Sequence, residues 1–422
     1  MVKSLKINIL LLDRIILFLL SYIVLVDMVN GYFMFKDSKL PISQIFKLLL
    51  IILLLLRLFR TKEFGFIIFL FICFQIGPLF GVIKTGNFTA FFNDIVVSTK
   101  WFNVPLSFFY FKNLFQSNFI AKLSIRISQV VSRSFVLIIV NVLLGAMGFG
   151  MAFYNHGFNN AVGTKGFIYA GNELTILILA LAFIIGSYYI QQKNYRSYCI
   201  MLIVFLILSF FITSKTVIGG TIVVFLIPLI SVFKFRIKRK WLNWIVGTAF
   251  FGIPFILSLF YIGIAKSGII DKIQYSLERN NYDIITVILS NRNNFIAKGW
   301  EVYMNEFSLI GKIFGYGQSY HLELSGHLAE VDFLSLLFAS GIFGVTVLFI
   351  IIFYWHINAI NLKNIKGEYW YAKPVLLFLW FLILAANLSG HIFGSGIAGF
   401  FIGLSLALMF YNPNMLSNDQ AN

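Results

Sequence analysis

Apolar runs of about twenty residues, separated by short polar breaks, recur along the chain. A helix needs about 20 apolar residues to cross the hydrocarbon core of a bilayer. On that measure the pattern predicts about twelve spans, at 8–28, 42–60, 64–83, 90–111, 133–153, 171–190, 197–213, 215–233, 241–262, 331–354, 374–392 and 395–411. The run at 90–111 is the most interrupted, with Asp94, Lys100 and Pro105 inside it. The polar break at 214–216 cuts one long apolar stretch into a hairpin. Between 263 and 330 the pattern changes: Asp271, Glu278, Asp283, Glu301, Glu306 and Glu323 mix with Lys266, Lys272, Arg279, Lys298 and Lys312. Phe295, Trp300, Tyr303, Met304 and Phe307 recur there at helical spacing. The expected fold is therefore an all-α polytopic transmembrane bundle in three parts. A first bundle covers 1–262, an ordered and partly helical loop covers 263–330, and a closing bundle with a short tail covers 331–422.

Composition agrees with that pattern. The chain of 422 residues is 59% hydrophobic and only 12% charged, so it lacks the polar groups to cover a water-facing surface. The net charge of +17 raises nucleic acid as a partner. However, the basic residues form short clusters between apolar runs and not one stripe, which is the distribution the positive-inside rule produces. With the N-terminus inside, the short inner segments hold about 19 Lys and Arg against about five in the short outer loops. Both termini are thus expected in the cytoplasm, with the 263–330 loop outside. Cys73 and Cys199 fall within apolar runs and suggest neither a disulfide nor a metal site. The first apolar run lacks a small-x-small cleavage pattern and reads as a retained span.

Four local patterns carry candidate chemistry, and all fall on the outer side in this topology. They are Ala170-Gly171-Asn172-Glu173-Leu174, then Thr213-Ser214-Lys215-Thr216, then Ser290-Asn291-Arg292 with Gly315-Tyr316-Gly317, then the stretch from His327 through Glu330-Val331-Asp332 to Gly341 and Gly344. Together they place two carboxylates, Glu330 and Asp332, and two cations, Arg292 and Lys215, near one outer cavity. His327, Glu173 and His391 are supporting candidates. No Gly-rich phosphate loop of the nucleotide-binding type is present.

The order and spacing of these patterns resemble the O-antigen polymerase and ligase superfamily of bacterial membrane glycosyltransferases. That family has a Ser-Arg pair in an outer loop, a Gly-x-Gly turn, and a His-Asn pair about eleven residues before Gly-x-x-Gly. Here Glu330 stands at the His position, eleven residues before Gly341. Glu-Val-Asp therefore replaces His-Asn, and the chain is closer to the capsule and exopolysaccharide repeat-unit polymerases. Thr213-Ser214-Lys215-Thr216 and Asn387-Leu388-Ser389-Gly390-His391 resemble the same branch.

The resemblance implies a GT-C-like bundle in the bacterial cytoplasmic membrane. It implies an enzyme that joins oligosaccharides carried on undecaprenyl diphosphate, with a flippase and a chain-length regulator as partners. A base must accept the proton of the attacking sugar hydroxyl. Glu330 is the first choice, with Asp332 or His327 as alternates. Arg292 and Lys215 would stabilise charge on the departing diphosphate. No cofactor is expected, and with two such cations a metal is not required.

Plainer readings stand beside these. Glu330 and Asp332 suit the positive end of a helix dipole. Arg292 reads as a solvated loop residue, and Lys215 as a snorkelling interface residue. Glu173 reads as a helix cap, His327 as an exposed loop residue and His391 as a bond between helices. Asp94 and Lys100 read as a mutually stabilising pair. A ligase acting on a different acceptor, and a flippase for lipid-linked sugars, remain the alternative functions.

Overall fold

The computed structural model describes residues 8–38, 40–154, 162–232, 282–365 and 369–412, with 274, 277, 278 and 280 as isolated positions. The expected span at 241–262, the start of the long loop, and both chain ends lie outside the described residues.

The described chain is almost entirely helical, as its apolar runs dictate. Eight helices come first: α1 (Ile9–Phe35), α2 (Ile42–Leu58), α3 (Phe64–Thr85), α4 (Phe88–Phe115), α5 (Ile120–Ala146), α6 (Gly171–Gln191), α7 (Tyr195–Ile212) and α8 (Lys215–Val232). Four shorter helices follow: α9 (Ile284–Leu289), α10 (Arg292–Asn305), α11 (Leu309–Phe314) and α12 (Gly317–Ser325). The chain closes with α13 (Asp332–Asn364), α14 (Ala372–Leu388) and α15 (Ala398–Ala407). Seven of these helices, α1, α3, α5, α6, α7, α8 and α13, are long and apolar enough to cross a membrane. The protein is an all-α, membrane-embedded chain.

Two elements depart from the sequence pattern. The helix expected at 133–153 runs instead over Ile120–Ala146. Lys122 and Arg126, which precede the expected span, and Arg133, which opens it, therefore all lie on this helix. The residues after it form an antiparallel hairpin of β1 (Met151–Tyr154) and β2 (Val162–Gly166). Asn141 holds this hairpin to α5: its amide donates to Lys165 O at 3.0 Å and accepts from Phe167 N at 2.8 Å.

Helix α6 is the hub. Every residue from Glu173 to Ile184 is buried, so it is apolar around most of its circumference, as a central helix must be. α15 is likewise buried throughout and packs against α4 and α6. Ser107 of α4 donates to Phe400 O at 2.7 Å, and Asn103 donates to Gly396 O at 3.1 Å. α7 instead leaves Ile200, Ile203, Ile207 and Phe211 exposed, a face suited to acyl chains.

Charges inside the bundle are paired, as a low-dielectric interior requires. At one end, here called basal, Arg57 donates to the fully buried Asp13 at 2.7 Å. Nearby, Lys112 bridges Glu63 and the Tyr354 hydroxyl, each at 3.0 Å. At the opposite, apical end Lys47 meets Asp27 at 2.9 Å, and Lys100 meets Glu173 at 3.2 Å. Lys100 and Asp94 are not partners. Asp94 instead accepts both the backbone N–H and the hydroxyl of Ser319, each at 2.8 Å, and so caps α12.

Helices α10 to α12 form an apical layer with its own apolar core of Tyr303, Phe307, Tyr316, Ala329 and Phe338. Of the amphipathic stretch foreseen in the sequence, Tyr303 and Phe307 are buried while Trp300 and Met304 face outward. The layer docks through two glycines. Gly341 interrupts α13 with a φ of 64°, and its backbone packs on Ile313 and Gly315. A side chain at either glycine would strike the other segment's backbone. His321 is buried in this layer, stacked on Phe338 at 4.5 Å and facing Gly299 O at 3.2 Å.

Two outcomes follow. Arg57→Met leaves Asp13 uncompensated and costs about 3–5 kcal/mol; adding Asp13→Leu restores most of the loss, read by thermal unfolding in detergent. Burial holds His321 below its ordinary value, against the opposing bond to Gly299. The folded protein therefore binds fewer protons than the unfolded chain as pH falls below about 6.5. His321 thus contributes stability that is full above that pH and declines toward the lowered folded value. The unfolding temperature is expected to drop between pH 7.5 and 5.5, and His321→Gln to remove this component of the pH dependence.

Candidate functional site

The site grows from a break in the helical backbone. α14 ends at Leu388, and α15 does not begin until Ala398. The segment between them runs at the apical end with Gly390 and His391 both at positive φ. The expected span of 374–392 is therefore corrected: it stops at Leu388, and His391 lies in the break.

Backbone N–H groups in such a segment need acceptors. Asp332, at the start of α13, accepts from Ile392 N at 2.8 Å and Phe393 N at 2.7 Å through one buried oxygen. Glu173, in the first turn of α6, accepts from Ile397 N at 3.0 Å. Two of the carboxylates singled out in the sequence thus hold backbone. His391 lies close enough to Asp332 to interact with it electrostatically.

Arg292 and Glu330 sit above this segment. Ser290 and Asn291, both at positive φ, turn the chain into α10, which begins at Arg292. The guanidinium donates through Nη1 to Leu388 O at 2.9 Å, at the negative end of α14. Through Nη2 it meets Glu330 Oε2 at 3.5 Å. Its Nε is buried and has no hydrogen-bond partner among the described residues. Glu330 itself has φ of 53°, and Gly390 packs directly on its carbonyl oxygen, a contact that leaves no room for a side chain at 390. The Glu330 side chain is 40% exposed, whereas Asp332 is 3% exposed. Only the first of the two acids is open to an incoming molecule.

Lys215 joins Arg292 across a cavity of about 500 Å³. The left-handed turn at Thr213 starts α8, and Ser214, Lys215 and Thr216 all line the cavity. Lys215 Nζ donates to Val287 O at 3.0 Å, which leaves two of its three hydrogens for other acceptors. Tyr154, from the hairpin, and Asn172, from the start of α6, complete the polar wall. Burial pushes the Tyr154 hydroxyl up to about 12, with Arg292 opposing, so it stays protonated at neutral pH. The other wall is apolar, with Val223, Phe381, Leu384 and Leu388. Val223, Leu384 and Leu388 are exposed, so this wall opens sideways.

The structure thus brings together Arg292, Lys215 and, through Arg292, Glu330. Asp332 and His391 lie beside them in the broken segment. His327 stands apart, stacked on Phe295 with ring centroids 4.6 Å apart. Glu173 belongs to a second apical cavity of about 510 Å³, lined also by Asp27, Lys47, Lys100 and Gly396. Gly390 lines the first cavity and Gly396 the second, so one segment borders both. Sequence reasoning missed Tyr154, which lay just past the end of an expected span, and the Asp27–Lys47 pair. The latter had a signal, since each charge interrupts an apolar run. Among the described residues, no three His, Cys, Asp or Glu side chains gather as a metal site.

Asp332→Ala removes the acceptor for two backbone N–H groups. Hydrogen exchange of the amides at 391–397, read by mass spectrometry, is expected to speed up by about tenfold to a hundredfold. Asp332→Asn, which keeps an acceptor oxygen, should fall between that variant and the wild type.

No protein-family model matches the chain, and no curated protein matches it significantly in sequence.

Proposed function

We propose that the protein is a polymerase of undecaprenyl-diphosphate-linked oligosaccharide repeat units for an O-antigen, capsule or exopolysaccharide. In this reading it is a twelve-span, GT-C-like enzyme of the bacterial cytoplasmic membrane. Both termini lie in the cytoplasm, and the apical end faces outward. A flippase would deliver its substrate, and a chain-length regulator would govern its product.

One observation carries the reading: two cations with unused donors line a single cavity whose far wall is apolar and laterally open, and one of them, Arg292, reaches the exposed Glu330 carboxylate at 3.5 Å beside it. A lipid diphosphate has that combination of an anionic head and a long apolar tail. Glu330 would take the proton from the acceptor sugar hydroxyl as its oxygen attacks the anomeric carbon. The bond from that carbon to the diphosphate oxygen breaks, and the diphosphate leaves with the electron pair. Arg292 and Lys215 would hold the developing charge, Arg292 with a planar fork and Lys215 as a point charge. Asp332 serves as a positioning residue in this scheme, since its carboxylate is occupied by backbone. Tyr154 and Asn172 offer neutral hydrogen bonds to sugar hydroxyls.

The test uses purified protein with defined lipid-linked repeat units and reads chain length on a gel. Glu330→Gln is expected to slow elongation by about a hundredfold or more. Arg292→Ala should cost about a hundredfold to a thousandfold. If both variants elongate normally, the assignment of roles is wrong. Transfer of finished chains to a different acceptor would favour a ligase. Lipid flux across liposomes without a new glycosidic bond would favour a flippase.

A further inference from the structure

A third cavity lies at the basal end, far along the helices from the candidate site, and its lining is unlike the other two. It measures about 520 Å³ and runs between α1 and α5. Four cations line it: Arg14 from α1, and Lys122, Arg126 and Arg133 from α5. No carboxylate lines it among the described residues. Asp13, next to Arg14 in sequence, turns inward to Arg57 and is not available. Asp13, Asp27, Glu63, Glu173 and Glu330 each have a cation within 3.5 Å, whereas Arg14, Lys122, Arg126 and Arg133 form no ion pair among the described residues.

The spacing gives the cavity its meaning. Lys122, Arg126 and Arg133 are four and seven residues apart, so they stand in a ladder on one face of α5. Lys122 lies near the start of that helix, and Arg133 lies about 20 Å along it, near its midpoint. The ladder thus climbs from the membrane interface toward the bilayer interior, where an uncompensated cation is costly. Arg133 is partly relieved by Tyr22, whose hydroxyl lies at 3.4 Å and whose ring the guanidinium covers at 5.4 Å. Tyr22 and Gln129 add neutral donors to the same wall. Phe18 and Ile125 stand beside the cations with apolar surface exposed toward lipid.

We infer that this groove binds an anionic phospholipid, with its phosphate head among Arg14, Lys122 and Arg126 and its acyl chains along Phe18 and Ile125. A lipid supplies both missing parts at once: the counter-charge for the ladder, and apolar chains for the open wall. The match predicts a preference for heads with two phosphates over one, and for either over a zwitterionic head. Binding here is independent of the chemistry proposed at the apical end. In the orientation proposed above, the groove opens to the cytoplasmic leaflet.

The full-length protein, purified and delipidated in neutral detergent, is titrated with cardiolipin, phosphatidylglycerol and phosphatidylethanolamine and read by native mass spectrometry. Cardiolipin is expected to bind tightest and phosphatidylethanolamine at least tenfold more weakly. The double variant Lys122→Gln with Arg126→Gln should weaken cardiolipin at least tenfold. Arg14→Gln, on the opposite wall and in a different helix, should weaken it independently, so the inference does not depend on one variant folding. Arg196→Gln, at the same end but outside the groove, serves as the control and should bind as the wild type does. Equal affinity for all three lipids, or unchanged affinity in both groove variants, would overturn the inference. Displacement of cardiolipin by inorganic phosphate would show a free-anion site instead. Displacement by an equal amount of a polyprenyl phosphate would assign the groove to a carrier lipid and also overturn it.

Discussion

A helix that stops inside a low-dielectric interior must find partners for the backbone groups it abandons, and this structure is organised around one such stop. Between Leu388 and Ala398 the chain leaves the helical pattern, and its N–H groups are claimed by carboxylates from two distant helices. Ile392 and Phe393 are buried, so water does not reach them to do the same. Asp332 and Glu173 therefore fix where α13 and α6 stand relative to the closing helices. The carbonyl side of the stop is claimed as well, by Arg292 on Leu388 O. Satisfying the broken backbone thus brings an acid and a guanidinium to one place.

That constraint separates two carboxylates that look alike in sequence. Glu330 and Asp332 are two residues apart, yet one meets solvent and the other is sealed against backbone. The left-handed backbone at Glu330 turns the chain between them, and Gly390 lets the broken segment approach closely enough to use both. The glycines of the apical layer act similarly. Gly315 and Gly341 bring the layer onto α13 and perform no chemistry of their own.

Much of the fold was legible because burial in lipid leaves a strong mark. The runs at 171–190, 197–213 and 215–233 match α6, α7 and α8 to within a few residues, and the break at Thr213 is a real turn. The failures share a cause: hydropathy scores side chains, whereas helices are made and ended by backbone. Lys122 and Arg126 look like loop residues in a running average but occupy one face of α5. The residues from 389 to 392 look like more span, yet remote carboxylates let the chain break there. Asp94 and Lys100 are six residues apart, which places them on different helix faces, so the pairing read for them was already poor geometry. For the site, residue types pointed to Arg292, Lys215 and Glu330. Tyr154 left no signal because a short hairpin in an apolar sequence is indistinguishable from the end of a span.

The contact between α4 and α15 joins residues 293 positions apart, as in Ser107 with Phe400. The ribosome therefore makes α4 nearly three hundred residues before α15, against which it packs. Until then α4 and α6 must sit in the bilayer with their inner faces uncovered, including the polar groups of Asn103 and Ser107. Biogenesis thus carries a waiting period: nascent chain emerging from the insertion machinery cannot close its interior until α15 is released. Premature termination after α14 would leave a chain that is inserted yet unsealed, the kind of species membrane quality-control proteases recognise.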